Sequence, residues 1–410
     1  MSVKKIAIYL PQFHAIAEND KAWGEGFTEW TNVKKAKPLF EGHYQPHVPL
    51  ETVGYYNLDD ETVLQRQAAL AQANGIHGFA YYHYWFNGKR LLQQPLDNML
   101  ASDKPAMPFC YIWANENWTK RWDGADQDII MQQEYSPEDD LAHITFLCKN
   151  VFCDKRYICI DGKPLFLVYR TELFPDITET VSCWRNEVKK YGFKDIHLVR
   201  IESFVKEVEP AAIGFDGVME FAPDWTCANY PPRMEGNNYL FDYPTTVYNM
   251  IVKKRPFKYY HCVFPGWDNT PRRVNRAGAV FINNDPTLFR YFLETQMQST
   301  IEQFSNADQQ YIFINAWNEW GEGCHIEPDE KNGMRYLDIC REAVPLAPNN
   351  FEQFCKHKID EQRDINNARE KELLLLQQKY SHMINGRYYK TGKKIQALIA
   401  AFSNLFNRHK

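Results

Sequence analysis

Residues 311–323 read YIFINAWNEWGEG, and the fold and chemistry of the chain are best approached from this stretch. The apolar run 311–314 is typical of a buried β-strand. Glu319 and Glu322 follow among two tryptophans and an asparagine, and two glycines allow the backbone to turn sharply where the strand ends. Glycoside chemistry needs one carboxyl group to protonate a leaving oxygen and a second to assist attack at the anomeric carbon. The alternative is an acidic turn after a strand, but the rest of the chain favours a sugar site.

Seven earlier segments repeat the apolar strand pattern, and helix-like stretches separate most of them. Strands are predicted at 6–13, 77–85, 107–115, 165–170, 196–202, 217–221, 260–265 and 311–317. Helices are predicted at 61–74, 137–152, 177–191 and 287–304. This alternation predicts an α/β protein built as a (β/α)8 TIM barrel. An open doubly wound sheet is the alternative, but no glycine-rich phosphate loop follows the first strand.

The residues that follow the predicted strands are the candidates for a binding site, because the active site of such a barrel lies at the C-terminal ends of its strands. Most of these ends pair an aromatic residue with an amide, an acid or an imidazole. The candidates for substrate binding are Gln12, His14, Glu29, Trp30, Tyr82, His83, Trp85, Asn115, Glu116, Trp118, Asp224, Trp225, Trp267, Asp268, Trp317 and Asn318. Glu29 and Trp30 are expected in a long loop after the first strand.

Three arginines, Arg272, Arg273 and Arg276, follow the seventh predicted strand. They could bind a phosphate group, but a solvated basic loop is the favoured interpretation. The chain has no glycine-rich loop, which argues against a transferase that uses a nucleotide-sugar donor.

Composition excludes several other classes of protein. The net charge of −5 over 410 residues gives no general signal for a nucleic-acid partner. Ten cysteines form neither a CxxC pair nor a cluster with zinc spacing, which favours reduced thiols in a cytosolic protein. The first apolar run is too short for a signal peptide, and no run approaches the roughly 18 residues that span a bilayer. Aromatic residues make up 15% of the chain, which favours a sugar-binding cleft.

The character of the sequence changes after about residue 345, so residues 346–410 are predicted to form a helical extension of the domain 1–345. Residues 385–410 contain six lysines and arginines and no acidic residue, beside an apolar helical face. A basic amphipathic helix can lie on an anionic membrane, which would place the protein at the inner face of the plasma membrane. The alternative is that this helix packs on the barrel or on a partner helix.

Three tryptophan-rich or aromatic motifs resemble a known family. They are YLPQFH at 9–14, WGEGFTEWTNV at 23–33 and WNEWGEG at 317–323. Together they resemble the WbsX-type proteins of surface-polysaccharide biosynthesis (O-antigen and capsule), which are labelled glycosyltransferases. The catalytic domain of that family is similar to the family 99 glycoside hydrolases, the endo-α-mannosidases. The resemblance covers roughly residues 3–345.

The resemblance implies a (β/α)8 barrel and a retaining reaction that uses two glutamates. Glu322 would be the general acid/base that protonates the leaving glycosidic oxygen. Glu319 would assist the substrate 2-hydroxyl in attacking the anomeric carbon through a 1,2-anhydro sugar. Glu327 belongs to the continuation of the motif and is expected to bind substrate or to orient Glu322. No metal or organic cofactor is implied, and the expected substrate is an oligo- or polysaccharide, including lipid-linked forms.

Three functions remain open from the sequence. The first is a retaining enzyme that cleaves or rearranges a mannose-like linkage. The second is a glycosyltransferase or transglycosylase acting on lipid-linked polysaccharide intermediates. The third is a glycan-binding protein without turnover, which the presence of both Glu319 and Glu322 disfavours.

Overall fold

The computed structural model describes residues 3–120, 125–204, 207–273 and 276–346, together with Lys371 and Leu375. The chain divides into two compact units, Met1–Glu352 and Gln353–Lys410. The predicted extension 346–410, including the basic segment 385–410, lies outside the described residues apart from Leu346, Lys371 and Leu375. Within the described ranges, no helix is both long enough and apolar enough to cross a lipid bilayer.

Eight parallel strands form a barrel. They are β1 Lys4–Tyr9, β2 Gly78–Phe86, β3 Phe109–Trp113, β4 Lys163–Val168, β5 His197–Glu202, β6 Gly217–Glu220, β7 Cys262–Val263 and β8 Tyr311–Ile314. Neighbouring strands pair in the order β6-β5-β4-β3-β2-β1-β8-β7. A parallel bridge between Met219 and Tyr260 joins β6 to the start of the β7 segment and closes the ring. The predicted (β/α)8 barrel is confirmed.

The barrel strands are almost entirely buried, because helices cover them from outside and side chains fill the interior. In the pairing register, Ile6 of β1 lies between Gly78 of β2 and Phe313 of β8. A sheet that is buried on both faces needs near-continuous apolar runs, which is the pattern that made these strands visible in the sequence.

Nine α-helices are present in the described residues. They are α1 Ala17–Trp23, α2 Glu29–Lys35, α3 Glu61–Ala73, α4 Gln94–Ser102, α5 Pro137–Asn150, α6 Ile177–Lys190, α7 Tyr243–Val252, α8 Pro286–Gln303 and α9 Arg335–Glu342. The four predicted helices correspond to α3, α5, α6 and α8, with ends shifted by at most two residues. Ser136 caps α5 by accepting a hydrogen bond from the Asp139 backbone N–H at 3.2 Å.

Several elements near the site were not predicted. A hairpin pairs Trp118–Lys120 with Ala125–Met131, and a small sheet contains Arg233–Glu235, Asn238–Asp242 and Ala279–Ile282. The expectation that Glu29 lies in a loop is wrong, because Glu29 begins α2. The Thr28 N–H donates to Thr31 Oγ1 at 3.2 Å, which satisfies a backbone donor at the start of this helix.

Candidate active site

A cleft of about 520 Å³ opens at the C-terminal end of the barrel. Every strand, or the loop that follows it, contributes to its lining. The lining residues are Leu10, Tyr82, Tyr84, Ala114, Glu116, Asn117, Trp118, Thr119, Tyr169, Ser203, Phe204, Phe221, Trp225, Trp267, Asn269, Arg272, Arg273, Glu319 and Glu322. The cleft therefore occupies the position where (β/α)8 enzymes carry their active sites.

A tight hairpin after β8 carries both candidate catalytic carboxylates. Its strands are Asn318–Glu319 and Cys324–His325, and a 3-10 turn at Trp320–Glu322 joins them. Gly323 ends the turn with a φ of 58°, a left-handed conformation that glycine adopts without strain. The predicted sharp turn after the strand is present, and it projects both carboxylates into the cleft.

Arg272 lies at the centre of three carboxylates. Its Nη2 donates to Glu319 Oε2 at 2.7 Å, and its Nη1 lies 2.6 Å from Glu322 Oε1. Its Nε donates to Glu29 Oε1 at 2.8 Å. The interpretation of this segment as a solvated basic loop is wrong for Arg272. Its side chain is buried, and each of its three guanidinium nitrogens contacts a carboxylate.

The three carboxylates outnumber the one guanidinium, and two of them have a raised pKa. Burial raises the pKa of Glu322 to about 8, with Arg272 opposing the shift and the charges of Glu319 and Glu29 adding to it. Burial also raises the pKa of Glu29, against the pull of Arg272. Acidic neighbours keep Arg272 protonated despite its burial, since they raise its pKa. Glu322 is thus a carboxyl group that holds a proton near neutral pH, as a general acid must.

Gly321 sits directly against the carboxylate of Glu29. A Cβ atom at this position would lie 1.7 Å from Glu29 Oε1 and 2.9 Å from Arg272 Nε. Only glycine therefore allows α2 to bring Glu29 under the turn that separates Glu319 from Glu322. Glu29 does not line the cleft itself; it holds Arg272 from behind.

Asp268 supports the same turn from the β7 side. Its backbone N–H donates to the Glu322 carbonyl oxygen at 2.6 Å. Its carboxylate accepts hydrogen bonds from His43 Nε2 and Gln45 Nε2, both at 2.7 Å. The prediction that Asp268 binds substrate is not supported by this position: its side chain lies behind the cleft and ties the 43–45 segment to the loop after β7.

The side chains of β2 alternate between the cleft and the helical layer. Tyr82 and Tyr84 line the cleft. His83 and Trp85 face α5, where His83 Nε2 lies 3.0 Å from His143 Nε2 and the Trp85 indole donates to a carboxylate at 2.8 Å. The prediction that His83 and Trp85 bind substrate is therefore corrected, because successive residues of a strand point to opposite faces. Tyr84, which the sequence reasoning omitted, takes their place.

Two predicted amides brace the strand ends instead of reaching the cleft. Asn115 accepts from the Arg170 N–H at 2.8 Å and donates to the Arg170 carbonyl at 2.8 Å, which joins the ends of β3 and β4. Asn318 exchanges the same kind of bonds with Leu10, at 2.8 Å and 3.0 Å, and joins β8 to β1. Both amides are fully buried, so their role in the structure is to fix the rim of the cleft.

Two predicted acids also lie outside the cleft. Asp224 is buried against Lys253, whose Nζ lies 2.9 Å from Asp224 Oδ2. Glu327 accepts hydrogen bonds from Tyr56 Oη, Gln67 Nε2 and Trp320 Nε1, at 2.9, 2.7 and 2.8 Å. Glu327 therefore orients the indole of Trp320, not the carboxylate of Glu322 as expected.

The four remaining predicted residues outside the cleft are packed in the interior. Trp317 is fully buried against Phe79, with ring centroids 5.1 Å apart. Trp30 is buried and its indole donates to the Tyr56 carbonyl at 2.8 Å. Gln12 and His14 are buried at the end of β1. None of these four lines the cleft.

Comparisons with known proteins bear on the family of this chain. The family model described as "Glycosyltransferase WbsX" matches residues 5–340. The chain belongs to the WbsX family. Two proteins named "Uncharacterized protein WxcX", from strains B100 and ATCC 33913 of Xanthomonas campestris pv. campestris, are each 39% identical over 360 residues. Those matches cover 85% of this chain and 51% of each relative, so this WbsX-family chain spans about half the length of the curated relatives it matches.

One solved structure shares the fold, and a second aligns at a lower TM-score. A structure titled "Glycoside hydrolase-like protein" aligns with a TM-score of 0.52 at 14% identity, over 84% of this chain and 95% of that one. The GH99 endo-alpha-mannosidase from Bacteroides thetaiotaomicron aligns with a TM-score of 0.49 at 16% identity, over 88% of this chain and 98% of that one. The predicted WbsX family is confirmed.

Aromatic rings form two walls of this WbsX-family cleft. On one side, Tyr84 packs edge-on against Trp118 with centroids 5.0 Å apart. On the other, Trp225 and Trp267 meet edge-on at 5.7 Å. Three of these four rings were predicted from the sequence, and Tyr84 was not. Flat apolar walls beside a carboxylate pair suit the alternating apolar and polar faces of a sugar ring.

Tyr169 and Phe221 also line the cleft, with ring centroids 5.9 Å apart. The sequence places both at the ends of predicted strands, but they were not among the candidates for substrate binding. Glu116, which was predicted, does line the cleft and forms an ion pair with Arg170.

Proposed function

We propose that the chain breaks a mannose-like glycosidic bond of a surface polysaccharide, or of its lipid-linked precursor, with retention of configuration. Glu322 is the general acid that protonates the leaving oxygen and later the base that activates the acceptor. Glu319 draws the proton from the substrate 2-hydroxyl, which attacks the anomeric carbon. The sugar part of this proposal rests on the resemblance of residues 317–323 to the family 99 motif.

One observation carries the proposal: the two carboxylates meet at a single guanidinium in an aromatic cleft. Glu322 lies 22% exposed in the cleft, and its pKa is raised to about 8 by burial, so it is protonated at neutral pH. Glu319 is held at 2.7 Å by the permanently charged Arg272. A carboxyl group with a raised pKa beside a second carboxyl group is the pairing that acid-assisted glycosyl transfer requires.

Transfer to a sugar hydroxyl, in place of water, is the second candidate. The family description names glycosyl transfer, and the same two glutamates serve either reaction, because the base that activates water can activate a sugar hydroxyl. The acceptor therefore decides between hydrolysis and transfer, and an experiment must offer both.

The test is an NMR time course with aryl α- and β-mannosides, followed by other activated glycosides, with and without an oligosaccharide acceptor. We expect a product of retained configuration from the wild type. Glu319→Gln should abolish turnover even of activated substrates. Glu322→Gln should abolish turnover of substrates with poor leaving groups while leaving glycan binding in place. An inverted product, or full activity in Glu319→Gln, would refute the mechanism.

A further inference from the structure

A second cluster of polar side chains lies outside the cleft, where the mechanism makes no use of it. His47, His325 and Asp329 each offer one metal-type donor atom, and these atoms all lie within 4.8 Å of one another. His47 Nδ1 is 2.9 Å from His325 Nε2, and His325 Nε2 is 3.8 Å from Asp329 Oδ2. His325 and Asp329 are buried, at 3% and 2% exposure.

Backbone hydrogen bonds hold the three donors in place before any ligand arrives. The Leu50 N–H donates to the Pro328 carbonyl at 3.0 Å, and the Glu330 N–H donates to the Val48 carbonyl at 2.9 Å. The segment after His47 therefore runs antiparallel to the segment that contains Asp329. Because the donors are fixed by these ladders, little conformational entropy would be lost when a ligand binds them.

The hydrogen bonds of His325 direct its lone pair at the other two donors; His47 Nδ1 donates to that lone pair at 2.9 Å and would move its proton to Nε2 when a metal ion binds. His325 Nδ1 lies 3.0 Å from the Glu327 carbonyl oxygen, so this nitrogen carries the proton and donates it. The lone pair of His325 then sits on Nε2, the atom that faces His47 and Asp329. A ligating histidine whose other ring nitrogen donates to a backbone carbonyl is the usual arrangement around protein metal sites.

Asp329 lacks a strong counter-charge. Its carboxylate accepts from the Asn332 backbone N–H at 2.5 Å and from Asn332 Nδ2 at 2.9 Å, and among the described residues its salt-bridge partner is His325, at 3.8 Å. Burial of an ionised carboxylate beside two imidazoles is costly without a nearby positive charge. A dication between the three side chains would supply that charge.

We propose that His47, His325 and Asp329 bind a divalent transition-metal ion of the Zn²⁺ class. A tetrahedral Zn²⁺ ion bound at about 2.0–2.1 Å would separate neighbouring donors by about 3.3 Å. The His47–His325 and His325–Asp329 separations, 2.9 and 3.8 Å, lie on either side of this value. Imidazole and carboxylate donors suit Zn²⁺, and water completes the fourth position. None of the three residues lines the cleft, so the ion has a structural role.

The ion would stabilise the hairpin that carries the candidate catalytic pair. His325 pairs with Asn318 in that hairpin, and its ring stacks on Trp320 with centroids 3.7 Å apart. Coordination would thus fasten the strand next to Glu319 to the 47–50 segment. His325 is a positioning residue in this scheme, not a catalytic one.

The test uses the full chain, stripped with a chelator and dialysed against Zn²⁺, with bound metal measured by mass spectrometry. We expect one equivalent per chain and a higher unfolding temperature with Zn²⁺ than without it. His47→Gln and Asp329→Asn should weaken Zn²⁺ binding at least about tenfold. His77→Gln, a histidine outside the cluster, is the matched control and should bind Zn²⁺ as the wild type does.

Substitution with Co²⁺ provides a second readout that needs no variant and no enzymatic activity. A tetrahedral nitrogen-oxygen site gives visible Co²⁺ bands without thiolate-to-metal charge transfer. A thiolate band would assign the ion to cysteines such as the exposed Cys153 and Cys159 and would overturn the proposal. Absence of stoichiometric binding in the wild type, or unchanged binding in both cluster variants, would overturn it as well.

Discussion

Arg272 donates through Nη2 to Glu319 Oε2 at 2.7 Å, and the same guanidinium reaches Glu322 through its other terminal nitrogen. One permanent positive charge therefore touches both candidate catalytic groups. The Nε of the same guanidinium binds Glu29, so one positive charge faces three acids. The site is therefore most stable when one of these acids holds a proton. The arginine therefore holds the two glutamates together and opposes the rise of the Glu322 pKa that burial and the neighbouring acids cause.

Replacement of Arg272 by methionine should abolish turnover and destabilise the fold by about 3–5 kcal/mol at neutral pH, because three buried carboxylates would lose their counter-charge. The pKa of Glu322 rises from its ordinary value of 4.5 to about 8 in the folded state. Ionisation of this carboxyl group therefore lowers the free energy of unfolding as the pH rises from about 4.5 to about 8. Stability of the variant should therefore recover as the pH falls toward about 5. Chemical denaturation at several pH values measures this.

The matched control is Arg290→Met. Arg290 pairs with Glu342 on the surface, at 2.7 Å, so its loss should change stability by less than about 1 kcal/mol. If Arg272→Met were as mild as this control and kept its activity, the guanidinium would have no role in holding the two glutamates.

The rate on substrates with poor leaving groups should fall as the pH rises above about 8. Glu322 must be protonated to donate, and burial raises its pKa to about 8. The expected decline of kcat/KM is about tenfold per pH unit beyond that point. Aryl glycosides whose leaving groups need no protonation should lack this decline, as should Glu322→Gln with the same aryl substrates. If kcat/KM fell above about pH 8 in all three cases, the decline would belong to a titrating group other than Glu322.

The fold was predictable because each barrel strand is buried on both faces and leaves a long apolar signature. Strand boundaries were less accurate: the run 6–13 was read as one strand, whereas β1 ends at Tyr9. Beyond Tyr9 the chain remains apolar, but it leaves the ladder and lines the cleft at Leu10. Apolar character signals burial, and burial continues past the last hydrogen bond of a strand.

The site was only partly predictable, because several of its residues are defined by partners far away in sequence. Arg272 looks like a surface arginine until α2 brings Glu29, 243 positions earlier, against it. His47 and His325 are 278 positions apart, with no local spacing that suggests a shared site. Tyr84, by contrast, could have been predicted from the sequence, because the two-residue period of a strand places it on the same face as Tyr82.

The alternation of β2 can be tested directly. Tyr84→Phe removes the hydroxyl of a residue that lines the cleft. Burial, together with the charge of Glu319, raises the pKa of this hydroxyl well above its ordinary value. This change should lower kcat/KM about tenfold or more, the scale of a hydrogen bond to a charged group. Trp85→Phe removes the bond to Asp139 on the outer face and should cost about 1–3 kcal/mol of stability with kcat/KM unchanged. The reverse pattern of effects would contradict the orientation of the strand.

Gly321→Ala should disable the enzyme without unfolding the barrel. The new methyl group would lie 1.7 Å from Glu29 Oε1, so it would displace the Glu29 carboxylate and with it the guanidinium that holds Glu319 and Glu322. Gly88→Ala is the control: its Cβ meets open space, and its φ of 84° costs only about 1 kcal/mol of strain. Comparison of kcat and unfolding temperature for the two variants separates a local clash from general destabilisation. Normal turnover in Gly321→Ala would mean that Glu29 is free to move without consequence.

Deletion of residues 385–410 should release the protein from anionic vesicles and leave the unfolding transition of the barrel in place. The segment carries six lysines and arginines and no acid, and each basic residue near an anionic surface contributes about 1 kcal/mol. Sedimentation with phosphatidylserine vesicles at low and high salt measures the binding, and it should weaken as salt screens the charges. Replacement of all six basic residues by glutamine keeps the apolar side chains and separates the two contributions. Equal sedimentation of the full chain and the deletion variant would refute membrane contact through this segment.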